Sequence, residues 1–300
     1  MGIYKKIIKK IKWYFHITVL NIVYRKILYF KKREIQRRIT KDTFPVHLLI
    51  RNSDFKMSII SIYHFLKVTK ENYEIFLHED GSLSEKYVKK LNKYLPFLNL
   101  ILKSNADKLI KKKLKSFPYI INWRSDFNFA LKLIDLSFFS KHDYYIYLDA
   151  DVLFFKEPHF IEKNVKDSFN NKKINCFFNK DIEPAYIDSN INLSAFLGFK
   201  LINQINAGLS FINKKIFDYD YLNNLISSEY YSNQEKKRKH VSEQTLYAIL
   251  SSKQASVNYL PVEYDVDLNK NINKSTSKHY VGKIRHKYSI EGLINLHYVK

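Results

Sequence analysis

From residue 46 onward, short apolar runs of strand composition alternate with segments of helical spacing, and few architectures accept that order. Residues 46–50 read as a first strand, followed by the polar turn Arg51-Asn52-Ser53-Asp54, and residues 57–66 have helical spacing. Residues 73–77 read as a second strand that ends in the turn His78-Glu79-Asp80-Gly81-Ser82. Ser84 can cap a helix running through Leu91 and stopping near Pro96, and residues 98–102 form a short third strand. A helix over 129–139 leads to the apolar run 144–148. Such alternation implies an α/β fold: a mostly parallel sheet flanked by helices, with ligands bound beyond the carboxyl ends of the strands. The turns after residues 50, 77 and 148 all fall at that end.

The run 144–148 delivers Asp149-Ala150-Asp151. Strand side chains alternate between faces, so the two aspartates are expected to point the same way, with Ala150 away from them. Two ionised carboxylates on one face repel each other unless a cation lies between them. Their oxygens suit a hard divalent ion, manganese or magnesium, of the kind that also holds phosphates. By the same argument Asp151→Asn should cost little stability, since it relieves repulsion. Further on, residues 179–204 read as a loop or lid. Residues 205–212 form a strand with Gly208 inside it, which marks a bulge or a close approach by backbone or ligand. A helix capped by Ser242 runs to about residue 250, and residues 278–286 read as a basic turn.

Charge separates an N-terminal arm from the rest. The chain carries 51 Lys+Arg against 29 Asp+Glu, a net +22, which favours an anionic partner. Residues 1–41 hold thirteen Lys/Arg and one acid, Glu34. Between its basic clusters run residues 13–24, mostly apolar and too short to span a bilayer, which takes about 20 residues. No small-residue cleavage site follows them. The expected organisation is therefore a basic amphipathic arm over 1–41 and one catalytic domain over 42–300. The arm either lies on an anionic membrane with Trp13, Tyr14 and Phe15 in the interface, or packs on the domain as a surface helix. If it only tethers, removing 1–41 should leave a soluble, folded enzyme. The single cysteine, Cys176, sits in an apolar run and fits a buried thiol in a cytoplasmic protein on the inner face of the membrane.

Five short motifs, in this order, resemble retaining glycosyltransferase family 8, nucleotide-sugar enzymes of the GT-A (Rossmann-like) fold. They are Tyr147-Leu148-Asp149-Ala150-Asp151-Val152, Asn206-Ala207-Gly208, Glu243-Gln244, Leu260-Pro261-Val262-Glu263-Tyr264 and His279-Tyr280-Val281-Gly282-Lys283-Ile284-Arg285. The chain departs from the family twice, with Glu243-Gln244 in place of Asp-Gln and Arg285-His286-Lys287 in place of a Lys-Pro-Trp ending. The resemblance implies His279 as a third metal ligand beside Asp149 and Asp151, and Gly282 and Arg285 at the donor diphosphate. It further implies Lys132 where the family has a donor-contacting arginine, with Arg124 as the competing cation. Asn206 and Gly208 would lie at the donor, and Glu243 and Gln244 below the sugar ring, facing charge at the anomeric carbon. Asp54, after the first strand, either reads the base or ribose or forms a local Asx turn.

The leading function is then a metal-dependent glycosyltransferase moving a sugar from a nucleotide-diphosphate donor to a cell-envelope glycan or lipid-linked acceptor. Two other classes compete. A nucleic-acid binder would use the charge and the 23 tyrosines, but neither a zinc-finger pattern nor an RNA-recognition motif is present, and no nucleic-acid partner is expected. A catalytically silent membrane scaffold would keep the fold without the chemistry.

Overall fold

The computed structural model describes residues 2–170, 172–266 and 271–294. Of the domain expected over 42–300, residues 171, 267–270 and 295–300 lie outside them. The described strands are β1 (Ile39–Ile50), β2 (Tyr73–Glu79), β3 (Asn99–Ile101), β4 (Tyr144–Leu148), β5 (Val152–Phe154), β6 (Cys176–Lys180), β7 (Ile205–Asn213), β8 (Val257–Tyr259), β9 (Tyr264–Asp265) and β10 (Ser277–His279). Seven of them form one sheet in the order β3-β2-β1-β4-β7-β6-β8, and the other three a small sheet, β5-β10-β9. β1 runs parallel to β2 and β4, and β2 parallel to β3. β7 is antiparallel to both β4 and β6, which makes the sheet mixed.

The strands are apolar on both faces because helices cover both sides. Side-chain alternation sorts them into two cores. Val46, Leu48 and Ile50 of β1, with Ile146 and Leu148 of β4, enter one core, while Leu49, Tyr145 and Tyr147 enter the other. The helix Phe55–Val68 packs in the first core and the helices Ala130–Phe139 and Ser242–Lys253 in the second. These two cores fix the carboxyl ends of β1 and β4 side by side.

Several elements differ from the sequence reading. β1 starts at Ile39, so a boundary at residue 41 falls inside a strand. The arm is a helix (Gly2–Lys26), a wide helical turn (Ile27–Lys31) and a second helix (Lys32–Arg37). Leu20, Tyr24, Ile27, Leu28 and Ile35 lie buried in the same core as β1. The opposite face of the first helix leaves Ile11, Phe15 and Ile22 exposed at helical spacing, with Tyr14 beside them, while Trp13, also exposed, lies on the other side against the His16 ring (5.4 Å). Lys10, Lys12, Arg25 and Lys26 flank that stripe and are exposed. One helix thus carries two apolar stripes, of which the fold uses one. No described helix is long and apolar enough to cross a membrane.

The presumed lid starts in β6 and contains the helix Asn190–Leu197, capped by Ser189, which accepts from the Asn192 N–H. Ser242 is the first helical residue, preceded by a tight turn over Lys239–Val241, and does not cap. Ser84 holds the extended cap conformation, but its side chain makes no capping bond. The helices Lys103–Lys113 and Pro118–Asp126 had no counterpart in the sequence reading.

Candidate active site

β4 ends at Leu148, so Asp149 and Asp151 sit in the tight turn between β4 and β5, not on a continuing strand face. Backbone bonds lock that turn. The Asp149 N–H donates to the Gly208 carbonyl of β7 (2.7 Å), the Tyr280 N–H to the Asp151 carbonyl (2.9 Å), and the Ser61 hydroxyl to the Val152 carbonyl (2.7 Å). The turn brings together what strand alternation was expected to.

His279 is the last residue of β10, whose antiparallel register pairs it with Val152 of β5. It is therefore a strand residue, and the turn over Gly282–Ile284 follows it. Its Nε2 lies 3.0 Å from Asp151 Oδ1 and 3.7 Å from Asp149 Oδ2. Its Nδ1 lies 2.8 Å from Asn206 Oδ1, and the same oxygen accepts the Gly208 N–H at 3.0 Å. An amide oxygen can only accept, so Nδ1 carries a proton there, and Nε2 faces the two carboxylates. Ligand atoms of Asp149, Asp151 and His279 all lie within 4.8 Å of one another. Two carboxylates and one imidazole, each held by a further hydrogen bond, fit a divalent ion such as manganese or magnesium.

The close approach at Gly208 is made by this imidazole. A Cβ built on it would stand 2.0 Å from Cε1 of His279, so no side chain is admitted. Asn206 is correspondingly an orienting residue for His279, and its Nδ2 donates to Asp181 at 3.1 Å.

Cations of the chain surround the carboxylates. Lys132 Nζ lies 3.0 Å from Asp149 Oδ1, over the Tyr147 ring (4.8 Å to its centroid). Arg285 donates to Asp151 Oδ2 through Nη2 (2.7 Å) and Nε (3.1 Å), and its Nη1 lies 3.3 Å from Asp54 Oδ1. Asp54 is also bound by the Arg51 guanidinium. Burial alone would raise the Asp151 carboxyl, but His279 and Arg285 beside it hold it well below the usual carboxylate range. Burial pulls His279 down, but the Asp151 charge, its hydrogen bond and the Asp149 charge together outweigh that, leaving the imidazole above its ordinary value. Arg124, the competing cation, is spent on buried ion pairs with Asp135 and Asp107 at 2.6 Å.

Glu243 and Gln244 open the helix Ser242–Lys253 and face the same cleft. Both ends of the Gln244 amide engage backbone: Oε1 accepts the Ala207 N–H (3.3 Å) and Nε2 donates to the Ala185 carbonyl (3.0 Å). Oε1 of Glu243 is buried without a hydrogen-bond partner. Burial, with some help from Asp149 and against Lys132, pushes the Glu243 carboxyl up to about 7.

The cleft holds about 530 Å³ and, Arg124 apart, takes a wall from every candidate named from sequence: Asp54, Lys132, Asp149, Asp151, Asn206, Gly208, Glu243, Gln244, His279, Gly282 and Arg285. No family model matches the chain, and no curated protein matches it. Solved structures do. Mouse xyloside xylosyltransferase 1 superposes with a TM-score of 0.53 at 10% identity, over 81% of this chain and 99% of that one. The galactosyltransferase LgtC, solved with donor and acceptor sugar analogues, gives 0.52 at 12%, over 86% and 96%. The chain has the GT-A fold. The bifunctional glycosyltransferase WbbM matches at 0.53 and 13% identity over 86% of this chain, which spans half of that longer one. At such identities the likeness carries the fold, and the chemistry has to come from the cleft.

Three polar residues that hold the site together were given no role in the sequence reading. Tyr147 donates its hydroxyl to Asp149 Oδ1. Its signal was present, since Tyr147 precedes Asp149 by two residues in the strand period. Arg51 lay in the polar turn already singled out. Asp181, which anchors Asn206, had no sequence signal.

Proposed function

We propose that this protein is a metal-dependent glycosyltransferase that moves a sugar from a nucleoside-diphosphate donor to a glycan or lipid-linked acceptor, with retention at the anomeric carbon. The observation that carries it is the convergence of Asp149, Asp151 and His279 with Arg285, Lys132 and Glu243 in one cleft at the carboxyl ends of β1 and β4. When bound there, a divalent ion, manganese by preference for the imidazole, would supply Lewis-acid chemistry to the leaving diphosphate. Asp149, Asp151 and His279 would hold the ion. Arg285 would leave its ion pairs for diphosphate oxygens, for which its planar fork is suited. Lys132 would neutralise charge on the donor side of Asp149. Glu243, whose Oε1 is unpartnered, would face the positive charge that develops on the sugar, with Gln244 held beneath it by the backbone. Asp54, between Arg51 and Arg285, lies where ribose or base would enter.

The exposed stripe of Ile11, Phe15 and Ile22 with its basic margins supports docking on an anionic membrane surface, the inner face of a cytoplasmic membrane. The packed inner stripe is compatible with that docking.

The test is calorimetric titration of the full chain with UDP and GDP, with and without manganese, followed by a hydrolysis screen of nucleotide sugars. Manganese-dependent binding of one nucleoside diphosphate and turnover of one of its sugars are expected. A folded chain that binds neither nucleotide under any divalent ion would overturn the reading.

A further inference from the structure

The helix Gly2–Lys26 and the segment Tyr288–Leu293 meet near Arg285. His16, on the helix Gly2–Lys26, and Ser289, in the helical segment Tyr288–Leu293, are both buried. His16 Nδ1 lies 2.8 Å from Ser289 Oγ, and that hydroxyl stands 3.3 Å from the His16 carbonyl. The hydroxyl can donate to the carbonyl while Nδ1–H donates to Oγ, so the pair closes on itself. Burial and the nearby charges of Arg285 and His286 hold His16 below its ordinary range, which keeps it neutral for this bond.

The Ser289 segment carries Arg285 on its leading edge. The Tyr288 N–H donates to the Arg285 carbonyl at 3.1 Å, and Arg285 reaches from there to Asp151 and Asp54. From the core side the segment is gripped by Lys278, which donates to Glu291 at 2.8 Å, and by the Tyr280 ring, edge-on to Tyr288 at 5.7 Å. The Tyr288 hydroxyl also donates to the Met57 carbonyl at 3.4 Å, and on the arm side Ser289 meets His16. The stretch between Gly282 and Leu293 consists of tight and wide helical turns with no long regular ladder. Its placement therefore depends on these grips.

We propose that the N-terminal arm is part of the donor site, with His16 acting through Ser289 as a positioning residue for Arg285 and hence for the diphosphate of a nucleoside diphosphate. The inference rests on the donor reading given above. It makes the arm more than a tether.

A double-mutant cycle on the full chain tests it, with UDP and GDP as probes, manganese present, and melting curves on every variant. His16→Phe keeps the buried ring and removes the bond. His16→Asn returns a donor, and Ser289→Ala removes the bond from the other side. His16→Phe and Ser289→Ala are each expected to weaken nucleoside-diphosphate binding about tenfold, the scale of one lost hydrogen bond, with binding of the bare nucleoside unchanged. His16→Asn should restore most of the loss. In an Arg285→Ala background neither substitution should weaken binding further. An equal loss with and without Arg285, or full affinity in folded His16→Phe and Ser289→Ala proteins, overturns the inference while leaving the donor reading intact. A wild-type chain that binds neither UDP nor GDP defeats the donor reading, and the brace with it.

Discussion

At the residue scale, the site is a balance of charge that the sequence pattern half discloses. Asp149 and Asp151 were expected to repel and to tolerate loss of one charge. Instead Asp151 is buried between His279 and Arg285, so Asp151→Asn takes the carboxylate from a buried ion pair with Arg285 and from its bond with His279. It should lower stability by about 1–3 kcal/mol in chemical unfolding. Gly208→Ala is a sharper probe, because the added methyl collides with the His279 ring. A loss of about 1–3 kcal/mol from overpacking is expected, together with a clear fall in manganese affinity measured by electron paramagnetic resonance. Unchanged affinity would mean that His279 is no ligand. Away from the cleft, His47 Nδ1 and His78 Nε2 pair at 2.8 Å inside the sheet, and the other ring nitrogens lack partners. Burial holds His47 well below its ordinary range; burial and the Arg124 charge hold His78 down to about 3. Both are lowered, so their contribution is complete above the unfolded value near 6.5 and drains away as pH falls below it, for His78 down to about 3. The stability curve should slope by about 1.4 kcal/mol per pH unit for each histidine in that window. His47→Leu with His78→Leu should flatten it, and an unaltered slope would locate acid sensitivity elsewhere.

At the element scale, the arm decides more than its charge suggested. Buried Leu20, Tyr24, Ile27 and Leu28 and the start of β1 at Ile39 make removal of residues 1–41 a core deletion. That truncation should aggregate or lose its cooperative melt, contrary to the tether expectation, and a folded truncated enzyme would show the inner stripe to be dispensable. Phe15→Glu with Ile22→Glu, by contrast, should melt normally yet lose binding to anionic vesicles, and salt should loosen the wild type. Equal vesicle binding by both proteins would remove the membrane from the account. The pattern of what was legible is physical. Strands β1, β2 and β4 and the helix before β4 announced themselves because buried parallel strands are apolar on both faces. The packed face of the arm was hidden by the second apolar stripe on the same helix. The helix Lys103–Lys113 is polar enough to resemble a loop, and Pro118–Asp126 is short, with apolar residues that follow no clear helical stripe. The candidate site was readable in its residues but not in its joints: that Asn206 and Gly208 serve His279 depends on β7 and β10 meeting, which no local pattern records.

At the scale of the whole molecule, the two sheets and the helices packed on them bring residues from six distant parts of the chain to one rim, and the proposed chemistry follows from that convergence. Retention of anomeric configuration is expected, and proton NMR of the product reads it directly. An inverted linkage would recast Glu243, already poised near neutral pH, as a general base activating the acceptor. The metal is the claim on which the rest depends. The decisive measurement is manganese titration with donor hydrolysis on the wild type and on Asp151→Asn, with circular dichroism confirming the fold. The wild type should bind manganese and lose turnover on chelation. Folded Asp151→Asn should bind it far more weakly and turn over orders of magnitude more slowly. Wild-type turnover that survives complete chelation, or a folded Asp151→Asn enzyme with near-normal activity, would contradict the account.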